Sequence, residues 1–123
     1  MALASTECFP VKSATACEIV EGKATDVLVS DFGDRLFVVV TQFQKIGTLI
    51  EVRKDVARRE HPADVYSTRV LLGKDCSETH LVARFIAEKV NIDKPILVGV
   101  SLVDYSPGIV RKVTDLVVKN LVA

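Results

Sequence analysis

The sequence has few of the features that mark secreted, membrane-spanning and nucleic-acid-binding proteins. Its three cysteines, Cys8, Cys17 and Cys76, form no Cys-x-x-Cys pair, so a reducing compartment suits them better than a disulfide framework. The formal net charge is zero, so no overall field recruits nucleic acid or an anionic membrane. The longest apolar run is far shorter than the roughly 18 residues that a membrane helix needs. We therefore expect a cytoplasmic or nuclear protein that binds neither nucleic acid nor membranes.

The sequence is also poor in residues that carry out catalysis. His61 lies in a charged stretch, and His80 lies in the first turn of a predicted helix, where a local hydrogen bond is its simplest role. Leu72–Asp75 places Gly-Lys before a helix but lacks the earlier glycine and the following Ser or Thr of a phosphate-binding loop. There is no Gly-x-Ser-x-Gly motif. The sequence thus predicts no catalytic residue, no cofactor and no metal site.

The chain has the size and composition of one folded domain. It has 123 residues, 49% hydrophobic and 26% charged, and no repeat, low-complexity tract or linker divides it. Residues 1–14 are rich in Ala, Ser and Thr without periodicity, which predicts a flexible N-terminal tail. Residues 15–123 are predicted to form a single α+β domain.

Apolar periodicity predicts six strands and two helices. The predicted strands are Ala16–Glu21, Thr25–Asp31, Leu36–Phe43, Gly47–Arg53, Tyr66–Leu72 and Ile96–Val103. Asp75 or Ser77 is expected to cap a first helix that ends before Asn91. Ser106-Pro107 is expected to start the second helix, and Lys54–Asp64 is predicted to be an exposed loop. Since the strands follow one another as hairpins, the predicted fold class is α+β with an antiparallel six-stranded sheet.

The segment Leu36–Val52 is too hydrophobic for a sheet with one wet face. Leu36–Val40 is apolar throughout, and neighbours on a strand point to opposite faces. Val70–Leu72 and Ile96–Val98 have the same character. Both faces of the central strands are therefore expected to be buried. Either one helix covers each face, or both helices cover one face and a partner protein covers the other, and the residues alone leave both packings open.

Two blocks of this sequence resemble the proteasome assembly chaperone 3 family. Members share a Val-Val-Val-Thr-Gln-Phe-x-Lys-x-Gly-Thr-Leu signature, which Val38–Phe43, Lys45 and Gly47–Leu49 match in the same spacing. A second block, Thr-Lys/Arg-Val-Leu-Leu-Gly-x-Asp, is matched by Thr68–Gly73 and Asp75.

The resemblance implies a cytosolic chaperone without nucleotide or catalytic chemistry. Such proteins act as a heterodimer with proteasome assembly chaperone 4, and a homodimer is the alternative for this chain. They hold 20S proteasome α-subunits while the α-ring assembles and leave before the particle matures. The family fold packs its sheet against the partner's sheet with the helices outside, which favours two helices on one face and a partner subunit on the other.

The candidate contacts with an α-subunit are Gln42, Gln44, Lys45 and Ile46, at the expected tip of the hairpin between the third and fourth strands. An equally weighted interpretation is that these residues and Gly47 merely specify the turn. One rival function is a small dimeric α+β scaffold unrelated to proteasomes. Another is a thioesterase-like enzyme, which would need a long central helix wrapped by the sheet.

Overall fold

The computed structural model describes residues 11–55 and 65–121, which form six strands and two helices. In chain order these are β1 (Lys12–Val20), β2 (Lys23–Asp31), β3 (Leu36–Thr41), β4 (Thr48–Asp55), β5 (Val65–Leu72), α1 (Ser77–Val90), β6 (Ile96–Ser101) and α2 (Pro107–Lys119). The predicted α+β class and element order are confirmed. Most of the predicted tail, and most of the predicted charged loop with His61, lie outside the described residues.

The first strand begins earlier than the sequence predicts, at Lys12 rather than near Ala16. Residues 12–14 pair with residues 29–31 of β2. The prediction of a flexible tail over residues 1–14 is therefore wrong for its last three positions.

The turn between β1 and β2 explains this early start. Glu21 and Gly22 both have positive φ, 49° and 78°, as expected for a two-residue turn whose twist matches its strands. The register set there continues to Ser13, whose hydroxyl oxygen lies 2.8 Å from that of Ser30. Residues 12–14 thus join the strand through pairing, without any apolar alternation of their own.

The sheet is mixed, which corrects the prediction of a purely antiparallel sheet. Its strand order is β1-β2-β3-β6-β4-β5, and β6 runs parallel to β3 and antiparallel to β4. The predicted hairpin of Leu36–Phe43 with Gly47–Arg53 is wrong, because β6 lies between its two arms. A nearly continuous apolar strand such as Ile96–Ser101 buries most surface at the centre of a sheet, where both its faces can be covered.

The first helix has a different cap from the predicted one. The N-cap residue of α1 is Cys76, rather than Asp75 or Ser77. Oγ1 of Thr79 donates to the carbonyl oxygen of Cys76 at 2.8 Å. The Asp75 carboxylate instead lies 2.7 Å from Nε2 of His80, so it holds a side chain of the first turn.

The other helix ends agree with the sequence. Asn91 follows α1 in the left-handed conformation, with φ of 50°, and its N–H bonds back to the carbonyl oxygen of Ala87. Ser106 is the extended N-cap residue of α2, and Pro107 stands at the start of the helix, where its fixed φ fits and its missing N–H costs no hydrogen bond.

Both helices lie on one face of the sheet. α1 packs on β4, β5 and β6, while α2 packs on β1, β2, β3 and α1. Alternate strand residues point at the helices and are buried: Val27, Val29, Val38, Val40, Ile50, Val52, Ile96, Val98 and Val100. The helices add Val82, Ile86, Val113 and Val117 to this core. Of the two packings left open by the sequence, the structure has both helices on the same face.

An ion pair ties the end of β2 to the residues before β6. Nζ of Lys94 lies 2.7 Å from Oδ1 of Asp31, and the Gly33 N–H donates to the same oxygen at 2.8 Å. The bond from Lys94, followed by that from Gly33, holds the pKa of Asp31 below its usual range. A carboxylate with a lowered pKa stabilises the fold above its unfolded pKa, and the stabilisation is lost as pH falls through its folded pKa.

Lys94→Met is expected to lower the free energy of unfolding by about 1 kcal/mol at pH 7, because the Asp31 carboxylate loses its charged partner. The deficit should shrink as pH falls below about 4, since a protonated carboxyl attracts the ammonium little. Urea unfolding at neutral and acidic pH measures the effect. Lys23→Met, at an exposed lysine of β2, is the control. A deficit of equal size at both pH values would contradict the assignment.

Candidate partner interface on the open sheet face

The sheet face opposite the helices carries apolar side chains, most of which the described chain buries only in part. They alternate with core residues along their strands and so point away from the helices; they are Leu28, Phe37, Val39, Leu49 and Leu97. Val39 is the most enclosed, at 9% exposure, and the others are partly exposed. We call this side of the sheet the open face. Within residues 11–55 and 65–121, the second cover that the sequence requires is not supplied by the chain itself.

Cross-strand pairing joins these side chains into a continuous apolar band. One row crosses β2, β3, β6 and β4 through directly paired residues, Leu28, Val39, Gly99 and Leu49. The next row along the strands pairs Phe37 with Leu97. The band therefore occupies the middle four strands of the six.

Polar side chains border the apolar band on both sides. On β4 and β5, the Glu51 carboxylate lies 3.2 Å from Nε of Arg53 and 3.3 Å from Nη2 of Arg69. The hydrogen bond from Arg53 is the main reason that the pKa of Glu51 lies below its usual range. On β1 and β2, the hydrogen bond with Asp26 raises the pKa of the exposed Cys17 thiol. An apolar centre with a polar rim is the usual anatomy of a protein–protein interface.

The predicted α-subunit contacts lie in residues 42–47, the link between β3 and β4. This link crosses the end of β6. Their predicted position at a hairpin tip is wrong, because β3 and β4 do not pair. The Gln42 N–H donates to the carbonyl oxygen of Ser101 at 2.8 Å. The Gln42 side chain donates to Oγ1 of Thr25 at 3.0 Å and accepts from the Val103 N–H at 2.8 Å. Gln42 therefore holds the link against β2 and against the residues that follow β6.

Gln44 and Lys45 form the exposed part of this link. Oγ1 of Thr41 accepts from the N–H groups of Phe43 and Lys45, at 3.0 and 3.2 Å, and so curls the backbone. Gln44 has a positive φ of 57°. Nζ of Lys45 lies 5.6 Å from the centre of the Phe43 ring, a cation–π contact. A contact between these exposed side chains and a partner stays a prediction.

Ile46 lies on the open face, directly over Gly99. A Cβ atom on Gly99 would be only 2.8 Å from Cγ2 of Ile46 and 3.2 Å from its carbonyl oxygen. Gly47 has φ of +70°, and a Cβ atom there would overlap the carbonyl oxygen of Val100. Sequence reasoning did not predict that Ile46 packs over Gly99, although the glycine itself was a signal of such a contact. A glycine inside a strand often marks the close approach of another part of the chain.

The predicted helix-end histidine has the local role expected of it. Nδ1 of His80 lies 2.7 Å from Oγ1 of Thr68, and Nε2 lies 2.7 Å from Oδ1 of Asp75. Hydrogen bonds from Thr79 lower the pKa of the neighbouring Cys76 thiol. In residues 11–55 and 65–121, no three His, Cys, Asp or Glu side chains gather as metal ligands. No helix of that part of the chain has the length and apolar character to cross a membrane.

The sequence is similar to those of chaperones from two animals. The chain is 36% identical to proteasome assembly chaperone 3 of Nematostella vectensis over 121 residues, covering 90% of this chain and 89% of the relative. It is 32% identical to proteasome assembly chaperone 3 of Mus musculus over 100 residues, covering 78% of this chain and 81% of the relative.

The fold is similar to that of a chain in a crystal structure described as a novel chaperone complex for yeast 20S proteasome assembly. The TM-score is 0.71 at 15% identity, over 89% of this chain and 96% of the other. The family model for proteasome assembly chaperone 3 matches residues 38–120, which include the last four residues of β3, all of β4, β5 and β6, and both helices. The chain therefore belongs to the proteasome assembly chaperone 3 family.

Proposed function

We propose that this protein acts as a proteasome assembly chaperone by binding alone. It pairs with a second chaperone subunit through the open face, holds 20S α-subunits while the α-ring assembles, and then dissociates. Membership of the family supports the overall role. The observation that carries the mechanism is the apolar band on the open face, because an apolar sheet face of this extent requires a cover.

The size of the open face supports a partner sheet as the cover. Strands about 4.8 Å apart and about 20 Å long, six of them side by side, present a face of roughly 600 Å². Covering it on both subunits removes roughly 1,200 Å² from water, which is within the range of specific interfaces. Two sheets packed face to face also need no helix between them.

The proposed partner is proteasome assembly chaperone 4, with a second copy of this chain as the alternative. The structural neighbour is part of a chaperone complex for yeast 20S proteasome assembly, which supports a chaperone–chaperone pair. The three thiols and the chaperone role both fit the cytoplasm, and the nucleus is the second candidate.

The proposed α-subunit contact is the link between β3 and β4. Gln44 and Lys45 are exposed there, while Gln42 positions them through its bonds to Thr25 and Val103. Ile46 completes the predicted set and lies toward the open face. The proposal assigns no catalytic role, and both ring nitrogens of His80 have local partners in Thr68 and Asp75.

Affinity purification from cells depleted of mature proteasomes tests the proposed function. The tagged full-length protein is expected to bring down 20S α-subunits and a chaperone subunit, identified by mass spectrometry. The same tag without the protein is the control. Recovery of a dimer with clients unrelated to proteasomes would favour the scaffold alternative, and absence of α-subunits would contradict the proposal.

A further inference from the structure

Ile46 lies over β6, one of the two central strands of the sheet, near the end of the sheet where β3 and β6 stop and β4 begins. It sits above Gly99 of β6, and β6 has two strands beyond it on one side and three on the other. A Cβ atom on Gly99 would also come within 3.6 Å of Cγ2 of Val39, so Ile46 lies beside the apolar band. The link between β3 and β4 thus places one apolar side chain on the open face.

Gly99 makes β6 intrinsically less stable as a strand, but it leaves the space that Ile46 occupies. Glycine in a strand interior costs conformational entropy and packs no side chain against its neighbours. At Gly99 the missing side chain makes room for Ile46 and its carbonyl oxygen. Although it packs over Gly99, Ile46 keeps 43% of its surface exposed. The chain's own fold therefore buries only part of the Ile46 side chain, which it holds over a central strand.

A second sheet on the open face would meet Ile46. Packed sheets lie about 10 Å apart, and this gap is filled by side chains from both. Since Ile46 already occupies the space over Gly99, it projects into the gap from the place where the sheet itself has no side chain. The partner's sheet must therefore offer a small residue or a depression opposite Ile46.

We propose that Ile46 is an anchor of the contact with the partner subunit's sheet and that this contact fixes the adjoining α-subunit site. The inference rests on the proposed dimer and changes the role of Ile46 from a client contact to a partner contact. Buried aliphatic or aromatic anchors carry much of the binding energy of an interface, and Ile46 lies beside the apolar band that the partner's sheet would cover.

The same link joins Ile46 to the proposed α-subunit site. Lys45 directly precedes Ile46, and its N–H is held by Thr41 at the end of β3. When the partner buries Ile46, the exposed side chains of Gln44 and Lys45 are fixed beside the seam between the two subunits. The dimer therefore presents the α-subunit site in one conformation, and the isolated subunit binds the client more weakly.

Ile46→Asp tests the anchor. Sedimentation of the purified full chain, with a second copy or with proteasome assembly chaperone 4, gives the dissociation constant of the dimer. We expect it to rise at least about tenfold, with loss of α-subunit capture. Leu81→Asp is the matched control, because Leu81 is a 65%-exposed aliphatic residue on α1, and it should leave the dimer unchanged. Thermal unfolding shows whether each variant is folded.

Two further variants separate the outcomes. Lys45→Glu should reduce α-subunit capture and leave the dimer intact. Gly99→Ala should weaken the dimer by displacing Ile46, and this effect should shrink when Ile46 is already alanine. If Ile46→Asp keeps the dimer but loses the client, or loses the dimer but keeps full capture, the inference is wrong. If the wild-type chain forms no dimer with either partner, the proposed function itself is overturned.

Discussion

Gly47→Ala is expected to lower the free energy of unfolding by about 4 kcal/mol, measured by urea denaturation. Gly47 has φ of +70°, a conformation that costs alanine about 1 kcal/mol or more. The added Cβ atom would also overlap the carbonyl oxygen of Val100 and approach Cβ of Ser101. Both are part of β6, which is paired on both sides and cannot move without disturbing the sheet.

Gly22→Ala is the matched control for Gly47→Ala. Gly22 has a similar φ of +78°, but nothing lies within 4 Å of the position that its Cβ atom would take. This variant should therefore lose only about 1 kcal/mol, the cost of the backbone conformation. Equal losses for the two variants would mean that the close contact with β6 adds nothing. The difference between them measures how tightly the link is pressed against the central strand.

Leu28→Asp is expected to leave the subunit folded and to raise the dissociation constant of the dimer by about 100-fold or more. Leu28 belongs to the apolar row of the open face and is only partly buried in the single subunit, so the subunit tolerates a carboxylate there. Under a partner's sheet the same carboxylate would lose water without gaining a cation, which costs several kcal/mol. Light scattering after size-exclusion chromatography gives the oligomeric state.

Val118→Asp is the control for Leu28→Asp. Val118 is 41% exposed on α2, on the other side of the molecule, and the same exchange there should leave the dimer intact. If Leu28→Asp also left the dimer intact, the partner would have to cover a different surface. If both variants dissociated the dimer, the helices would contribute to the interface as well.

The sequence was sufficient to predict the elements and the need for a second cover. Some features depend only on residues close together in the chain, and the structure has them as predicted. They are the apolar stripes of both helices, the turn at Gly22 and the cap at Ser106. The run Leu36–Val40 predicted burial on both faces, because side-chain alternation in a strand leaves no other outcome. Local pattern thus predicted which element each segment forms, while the cover of the open face stays a prediction.

The sequence was not sufficient to predict which strands pair. Leu36–Phe43 and Gly47–Arg53 looked like a hairpin because they are close in the chain and both apolar. The strand that separates them begins only at Ile96, and no local pattern records so distant a pairing. The start of β1 was missed for a related reason, since Ser13 is placed by its pairing with Ser30.

The sequence predicted that a sheet face would form the candidate interface, but not which contacts shape that face. Apolar runs indicated a covered sheet face, while the identity of the family came from the sequence signature around Val38–Phe43. The packing of Ile46 over Gly99 depends on the position of β6 in the sheet. It therefore could not be predicted from the residues of the link alone. Gly99 was the one local clue, and it indicated a close approach without naming the group that approaches.

The central place of β6 has a consequence for how the chain folds. When a ribosome has released the first five strands and α1, β3 and β4 have no shared neighbour, and the sheet consists of two separate ribbons. Only the arrival of Ile96–Ser101 joins the β1-β2-β3 ribbon to the β4-β5 ribbon. Pairings of such long sequence separation slow folding and leave strand edges open meanwhile. We therefore expect the facing edges of β3 and β4 to stay open until the last strand emerges.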